Sequence, residues 1–324
     1  MNECLDIRPL HDDFRYCLED TVVSVASWMG RHYELMYAED WGFDFDYEKY
    51  KSGDMLSKCI TPQGGDICEL LKRYHGMEIV RYDSIENDTM IKIVESELKE
   101  SRPVILEFDW YYCPWNEKAA RKYHVNHISL IVGYDSKNKT FHITDCYYKM
   151  QDIVLPVEYL EKLEKNIAVF KLLPLIPEDN HWRGVLTKAL DKIQNTKKQV
   201  NTFDMIRNFA GVIEQLDDLN SEFAGYDEVL TSPLLTTLSS ISHNRNHFAE
   251  VLYYIGKEFK MESIYGLVKD MKSSALQWDI ACSLLSMTKY KTIDNKRLMN
   301  RAVKKIKSAA DLEETVANSL AAIL

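Results

Sequence analysis

The sequence predicts an α+β domain over residues 1–177 followed by an all-helical domain over residues 178–324. Three observations carry this. A chain of 324 residues exceeds what one hydrophobic core usually holds, so two domains are expected. In the first half, stripes of apolar residues at helical spacing alternate with short apolar runs bounded by turn residues. After about residue 178 helical periods dominate and strand signals are few, and no internal repeat of fixed period is evident.

Residues 18–36 place Leu18, Val22, Val25, Ala26 and Met29 on one face, the spacing of a buried helical stripe. Glu19 and Asp20 fall in its first turn, where negative charge suits the helix dipole. Residues 62–75 read as a second capped helix, with Ile67, Leu70, Leu71 and Tyr74 as its apolar positions, and residues 89–100 as a third. The period then changes. Residues 103–108, 127–134 and 140–145 are compact strand runs, and Asp135-Ser-Lys-Asn-Lys139 is turn chemistry that predicts an antiparallel hairpin. Residues 167–173 read as a last strand before Pro174 and Pro177. Helices are expected over 183–199, 203–219, 237–256, 259–271, 275–289, 296–308 and 311–323.

Composition narrows the classes of function. The seven cysteines are odd in number and form no CxxC pair, so free thiols are expected rather than a disulfide framework. No basic start with an apolar core opens the chain and no apolar run approaches a membrane span, so a soluble, cytoplasmic protein without membrane association is expected. The net charge is −10, and residues 1–180 hold 33 acidic against 21 basic side chains. That balance disfavours nucleic acid as a partner. It would attract a cationic, amine-bearing small molecule, although acidity is also the ordinary basis of solubility.

One constellation carries chemistry. Cys17 opens the first helix, His127 starts one strand of the hairpin and Asp145 ends the other. A thiol attacks as thiolate, which a helix start and a nearby imidazole both favour, while an acid behind the imidazole fixes its tautomer. If the turn centres near Lys137, residue 127 lies opposite about residue 147, and Asp145 is its diagonal neighbour on the same face. A one-residue slip would separate them. Each residue alone has a plainer reading: cysteines are more often core residues than nucleophiles, and acids commonly end strands at turns. This order of elements is that of a papain-like thiol site.

Other groups are weaker. His124 and His127 with Cys113 or Cys146 have poor spacing for zinc, and His243-x-x-x-His247 lacks the glutamate of a zincin, so neither metal nor cofactor is expected. No phosphate-binding loop or nucleophile elbow is present. The run Asp109-Trp-Tyr-Tyr-Cys-Pro-Trp115 reads either as an acceptor pocket, with Asp109, Tyr111, Tyr112 and Trp115 as substrate-binding candidates, or as a packed loop. The cluster Lys296, Arg297, Arg301, Lys304, Lys305 and Lys307 is either a solvated helix face or a dock for an acidic partner.

Tyr16-Cys17-Leu-Glu-Asp20, Tyr33-Glu-Leu-Met-Tyr37 and Trp41-Gly-Phe43 resemble the opening of the butirosin biosynthesis protein H N-terminal family. The strand 103–109, the segment His127-x-Ser-x-Ile-Val-Gly-Tyr-Asp135 and Ile143-Thr-Asp145 follow in the same order, so the resemblance covers about residues 10–175. It implies a papain-like thiol acyltransferase that moves an acyl group from a carrier-protein thioester to an amine in antibiotic or peptide biosynthesis. Cys17 would be the nucleophile, His127 the base and Asp145 the orienting acid. Papain-like folds usually place an oxyanion-hole glutamine shortly before the cysteine; none is present, and His11 is the nearest polar candidate. The carrier, itself acidic, would dock on the Lys296–Lys307 helix. Two other readings remain open: a cysteine peptidase, amidase or peptide cyclase using the same residues, and a non-catalytic binding protein on a degenerate thiol fold.

Overall fold

The computed structural model describes residues 4–116, 121–122, 124–162, 165–174, 181–194, 200–290 and 294–324. In chain order the elements are α1 (Cys17–Trp28), β1 (Asp44–Phe45), α2 (Tyr47–Lys51), α3 (Leu56–Cys59), β2 (Ile60–Thr61), α4 (Ile67–His75), β3 (Met77–Tyr82), α5 (Asn87–Lys99), β4 (Val104–Asp109), β5 (Asn126–Asp135), β6 (Thr140–Asp145), β7 (Met150–Pro156) and β8 (Lys165–Leu172). The remainder is helical: α6 (His181–Gln194), α7 (Thr202–Gln215), α8 (Asn220–Phe223), α9 (Pro233–Glu258), α10 (Glu262–Ser286) and α11 (Asn295–Ile323). The protein is therefore mixed α and β, with a sheet in the first half and helices in the second.

The chain forms two compact units, Met1–Tyr33 with Cys68–Ile176, and Glu34–Ile67 with Pro177–Leu324. This corrects the expected division at 177/178 in one respect: residues 34–67 belong with the helices. The expected boundary itself, like the end of the helix expected over 183–199, lies outside the described residues. The reason is burial. Phe43, Phe45, Leu56, Cys59 and Ile60 share one core with Phe209, Leu238, Trp278 and Val303. Gly42 is needed here, because a Cβ on it would meet Gln63 Cβ at 2.8 Å and Lys192 Cε at 2.9 Å.

In the first unit the strands run antiparallel in the order β3-β8-β4-β5-β6-β7. β4 sits inside the sheet and is buried at every residue from Val104 to Phe108, which explains a run that is apolar except at Glu107. Met90, Val94 and Leu98 of α5 pack into the sheet core with Val104, Leu106, Ile131 and Phe141. α1 packs against β5. It ends earlier than its apolar stripe suggests, because Met29 caps it and Gly30 turns left-handed at φ +64°. β3 and β7 were not anticipated; β3 lies on an edge of the sheet and β7 on the other, and their half-exposed faces blur the apolar pattern.

The segment before α1 is tied to the sheet and to α1 itself. Leu5 N–H donates to Val132 O at 2.9 Å, Gln151 Nε2 donates to Ile7 O at 3.2 Å, and Leu10 N–H donates to Ser24 Oγ at 2.9 Å. Gly133, at a register shift in β5, admits this segment: a Cβ there would sit 2.6 Å from Cys4 Sγ.

In the second unit α9 packs on α10, α10 on α11 and α11 on α7. α10 and α11 are each one long helix where two were expected, since neither Lys272-Ser-Ser274 nor Ala309-Ala310 supplies a breaker. Ser274 is buried and donates to Glu313 Oε1 at 2.7 Å rather than ending its helix.

Candidate active site

Cys17 is the first residue of α1. Tyr16 is the N-cap, and its N–H donates to Glu19 Oε2 at 2.7 Å, so the acid read as a dipole partner closes the helix start. The thiol is half-buried. Burial pushes it up to about 11, against the backbone amides of Leu18, Ile128 and Cys17 itself, which lower it, and with the Asp145 carboxylate adding to the rise. The helix start thus acts in the direction expected from sequence but is outweighed by desolvation. Ile128 directly follows His127, so the thiol lies beside the start of β5.

His127 is 3% exposed and Asp145 fully buried. The ladder Leu130↔Thr144 and Ile131↔Ile143 places the two on one face, and His127 Nε2 meets Asp145 Oδ2 at 2.8 Å. The same oxygen accepts from Trp115 Nε1 at 2.8 Å and Ser129 Oγ at 3.3 Å, while Oδ1 accepts the Tyr148 N–H at 3.1 Å. Burial acts to raise Asp145, but these donors outweigh it and hold the carboxyl below the usual range. With Asp145 ionised, Nε2–H is the donor, which leaves Nδ1 as the basic nitrogen. The Trp110 ring stacks on the imidazole at 5.6 Å, and Phe108 meets it edge-on at 5.5 Å. Among the described residues no hydrogen bond joins Cys17 Sγ to His127.

The expected acceptor residues divide. Trp115 binds the His127–Asp145 pair. Asp109 and Tyr111 instead form a cluster with His124, whose Nδ1 meets Asp109 Oδ2 at 2.6 Å and whose ring stacks on Tyr111 at 4.2 Å. The backbone oxygen of Tyr112 accepts from the Tyr159 hydroxyl at 3.2 Å. His11 meets Asp20 Oδ2 through Nδ1 at 2.5 Å and touches the Tyr147 ring edge-on at 5.1 Å. Burial pushes Asp20 up to about 6, opposed by His11, the Asp12 amide and Arg15.

Sequence reasoning did not single out Asp20, Trp110, Tyr147 or Tyr148 as parts of this site. Asp20 had a signal, since it lies three residues after Cys17, one turn along the same helix. Tyr147 and Tyr148 follow Asp145 after one intervening residue, Cys146, but aromatic pairs after a strand have no distinctive pattern.

The other sequence candidates fall elsewhere. Cys113 and Cys146 are buried thiols, each pushed up to about 12 by desolvation. Among the described residues no three His, Cys, Asp or Glu side chains converge to hold a metal ion. His247 is buried against Asp40 at 2.8 Å and stacks on Tyr37 at 4.0 Å. On α11, Lys296 donates to the carbonyls of Glu214 and Leu216, and Lys307 pairs with the Glu214 carboxylate at 2.8 Å. Arg297, Arg301 and Lys304 are exposed at helical spacing.

Fold and site together define a mixed α/β protein with a helix-start thiol beside a buried histidine–aspartate pair. Residues 17–146 match the family model Butirosin biosynthesis protein H, N-terminal, and over this part the chain is similar to that family. The match includes residues 34–67, which fold with the helical unit. That similarity is consistent with an enzyme of biosynthesis, acyltransferase-like in kind. No curated protein matches the chain. Among the described residues no helix is long and apolar enough to cross a membrane.

Proposed function

We propose that the protein is a thiol acyltransferase of secondary-metabolite biosynthesis, which moves an acyl group from a carrier-protein thioester through Cys17 to an amine. The observation that carries this reading is the 2.8 Å His127–Asp145 pair beside the thiol at the start of α1. His127 Nδ1 takes the thiol proton as Sγ attacks the thioester carbonyl. The carrier's thiolate leaves and takes that proton from the imidazolium, and the acyl group remains on Cys17. An amine then attacks the acyl-enzyme, His127 takes a proton from its nitrogen, and Cys17 leaves as a thiolate that the imidazolium reprotonates. The helix-start amides of Cys17 and Leu18 are suited to the tetrahedral oxyanion. The rings of Phe108 and Trp110 against His127 suit a site that shields the acyl-enzyme from water.

Intact-mass measurement tests the reading: a small acyl thioester should add one acyl group to the protein, and an amine should remove it. Acylation by peptides alone would favour a peptidase or amidase, and an unmodified thiol a binding protein. The pH dependence is specific. The resting thiol, at about 11, holds little thiolate near neutrality, so alkylation by iodoacetamide should keep rising as pH climbs toward that value. Acylation by thioester should not follow that rise, because the imidazole takes the proton during attack. If acylation tracked the alkylation curve throughout, His127 would not be the base.

In this reading the carrier docks on the exposed Arg297, Arg301 and Lys304 face of α11. Reversing all three to glutamate should raise KM for a carrier-bound donor about tenfold or more and leave a small thioester donor unaffected. An unchanged KM for the carrier-bound donor would remove the dock from α11.

A further inference from the structure

Two histidine–carboxylate pairs flank Tyr147. One is His127–Asp145, with ring centroids of His127 and Tyr147 6.2 Å apart. The other is His11–Asp20, with His11 and Tyr147 at 5.1 Å. Asp20 lies one turn along α1 from Cys17 and is fully buried, as few aspartates are. Among the described residues its carboxylate meets groups from the segment before the cysteine: His11 Nδ1 at 2.5 Å, the Asp12 N–H at 3.3 Å and Arg15 Nη1 at 4.0 Å. The Tyr147 hydroxyl in turn is raised by burial and by the charges of Cys17, Asp20, Asp13 and Tyr16 around it.

The chemistry of transfer needs a second base. An alkylamine is an ammonium ion near neutral pH, and it must lose two protons to become an amide. The departing Cys17 thiolate takes only one, by way of His127. The other must leave before the nitrogen can attack.

Resting on the acyl-transfer reading above, we infer that His11, held by Asp20, is the base that takes this first proton from the acceptor ammonium. With Asp20 ionised, His11 Nδ1–H donates to Oδ2 and Nε2 presents its lone pair. A neutral imidazole in that tautomer has no proton to offer an oxyanion, so the arrangement suits a base better than the oxyanion donor expected from sequence. Asp13 Oδ1, 3.4 Å from Nε2 and fully exposed, is placed to accept from the ring once it is protonated. The step balances. The ammonium proton passes to His11 Nε2, and the free amine forms the N–C bond. The C–S bond to Cys17 breaks, the second amine proton passes through His127 to Sγ, and His11 returns its proton to solvent.

The experiment separates the two halves of the reaction. Wild type, H11Q and D20N are loaded with S-acetyl-N-acetylcysteamine, and loss of the acetyl group is followed by mass with propylamine, which is protonated at neutral pH, and with methoxyamine, which is not. H11Q should acylate and react with methoxyamine within about twofold of wild type, yet lose about a hundredfold in rate with propylamine at pH 7. That deficit should close as pH approaches the propylamine pKa. D20N should show the same pattern more weakly, and H124Q, which alters the separate His124–Asp109 pair, should show none of it. Equal loss with both amines, no loss with either, or the pattern appearing in H124Q instead would overturn the inference. Absence of any acyl-enzyme in wild type would overturn the acyl-transfer reading itself, and this inference with it.

Discussion

Replacing Cys17 with serine is expected to abolish the acyl-enzyme and to lower acyl transfer roughly 10⁴-fold or more. A hydroxyl lacks the nucleophilicity of sulfur, and the imidazole alone cannot hold the acyl group. The substitution is nearly isosteric at a half-buried position, so thermal unfolding should change little, which separates lost chemistry from lost fold. His127→Ala and Asp145→Asn should each cost about 10²–10⁴-fold, and neither should add its full cost to Cys17→Ser, because residues acting as one unit are not additive. Intact-mass and single-turnover measurements read both effects. Undiminished transfer by the serine variant would remove Cys17 from the mechanism.

The largest stability effect is expected at Glu313. Its carboxylate is fully buried and accepts from Arg245 Nε at 3.0 Å and Nη2 at 2.9 Å. Trp41 Nε1 at 3.0 Å, Trp278 Nε1 at 3.1 Å and Ser274 Oγ at 2.7 Å complete the set. Removing one side leaves an uncompensated buried charge, so Arg245→Met should cost about 3–5 kcal/mol in denaturant unfolding of the full chain. Glu313→Leu should cost at least as much, since it also orphans three neutral donors. The double substitution should recover part of the loss. Burial acts to raise Glu313, but Arg245 and the other donors outweigh it and hold its folded pKa below the usual value. Its contribution is therefore present above the unfolded value of about 4.3 and is lost as pH falls through the folded one. An Arg245→Met cost below about 1 kcal/mol would mean the pair does not hold the helices together. Because Trp41 is one of the donors, a fragment ending at residue 177 would leave residues 34–67 without their core, and it should not fold as one cooperative unit.

The difference between what could and could not be read in advance follows sequence separation. His127 and Asp145 are joined by a short turn, and strand periodicity fixes which side chains share a face, so their proximity follows from local pattern. The α1 start was legible for the same reason, through Glu19 and Asp20 in its first turn. Trp115 was read as a substrate contact, yet its indole reaches an aspartate thirty positions on, and no periodicity carries across that irregular loop. Two helix breaks were expected inside α10 and α11 because polar and small residues interrupt their stripes. Ser274 and Glu313, however, are buried polar partners, and a pairing 39 residues apart leaves no trace in either local pattern.

By itself the sequence determined the order of a thiol at a helix start, a histidine on one strand and an acid on the next, and a helical second half. These follow from short-range periodicity, turn residues and capping. Tertiary structure alone decided that burial outweighs the helix amides at Cys17, that Asp20 grips His11, and that residues 34–67 join the helices. Desolvation and the pairing of buried charges depend on which distant groups arrive at one place, and only the folded chain brings them there.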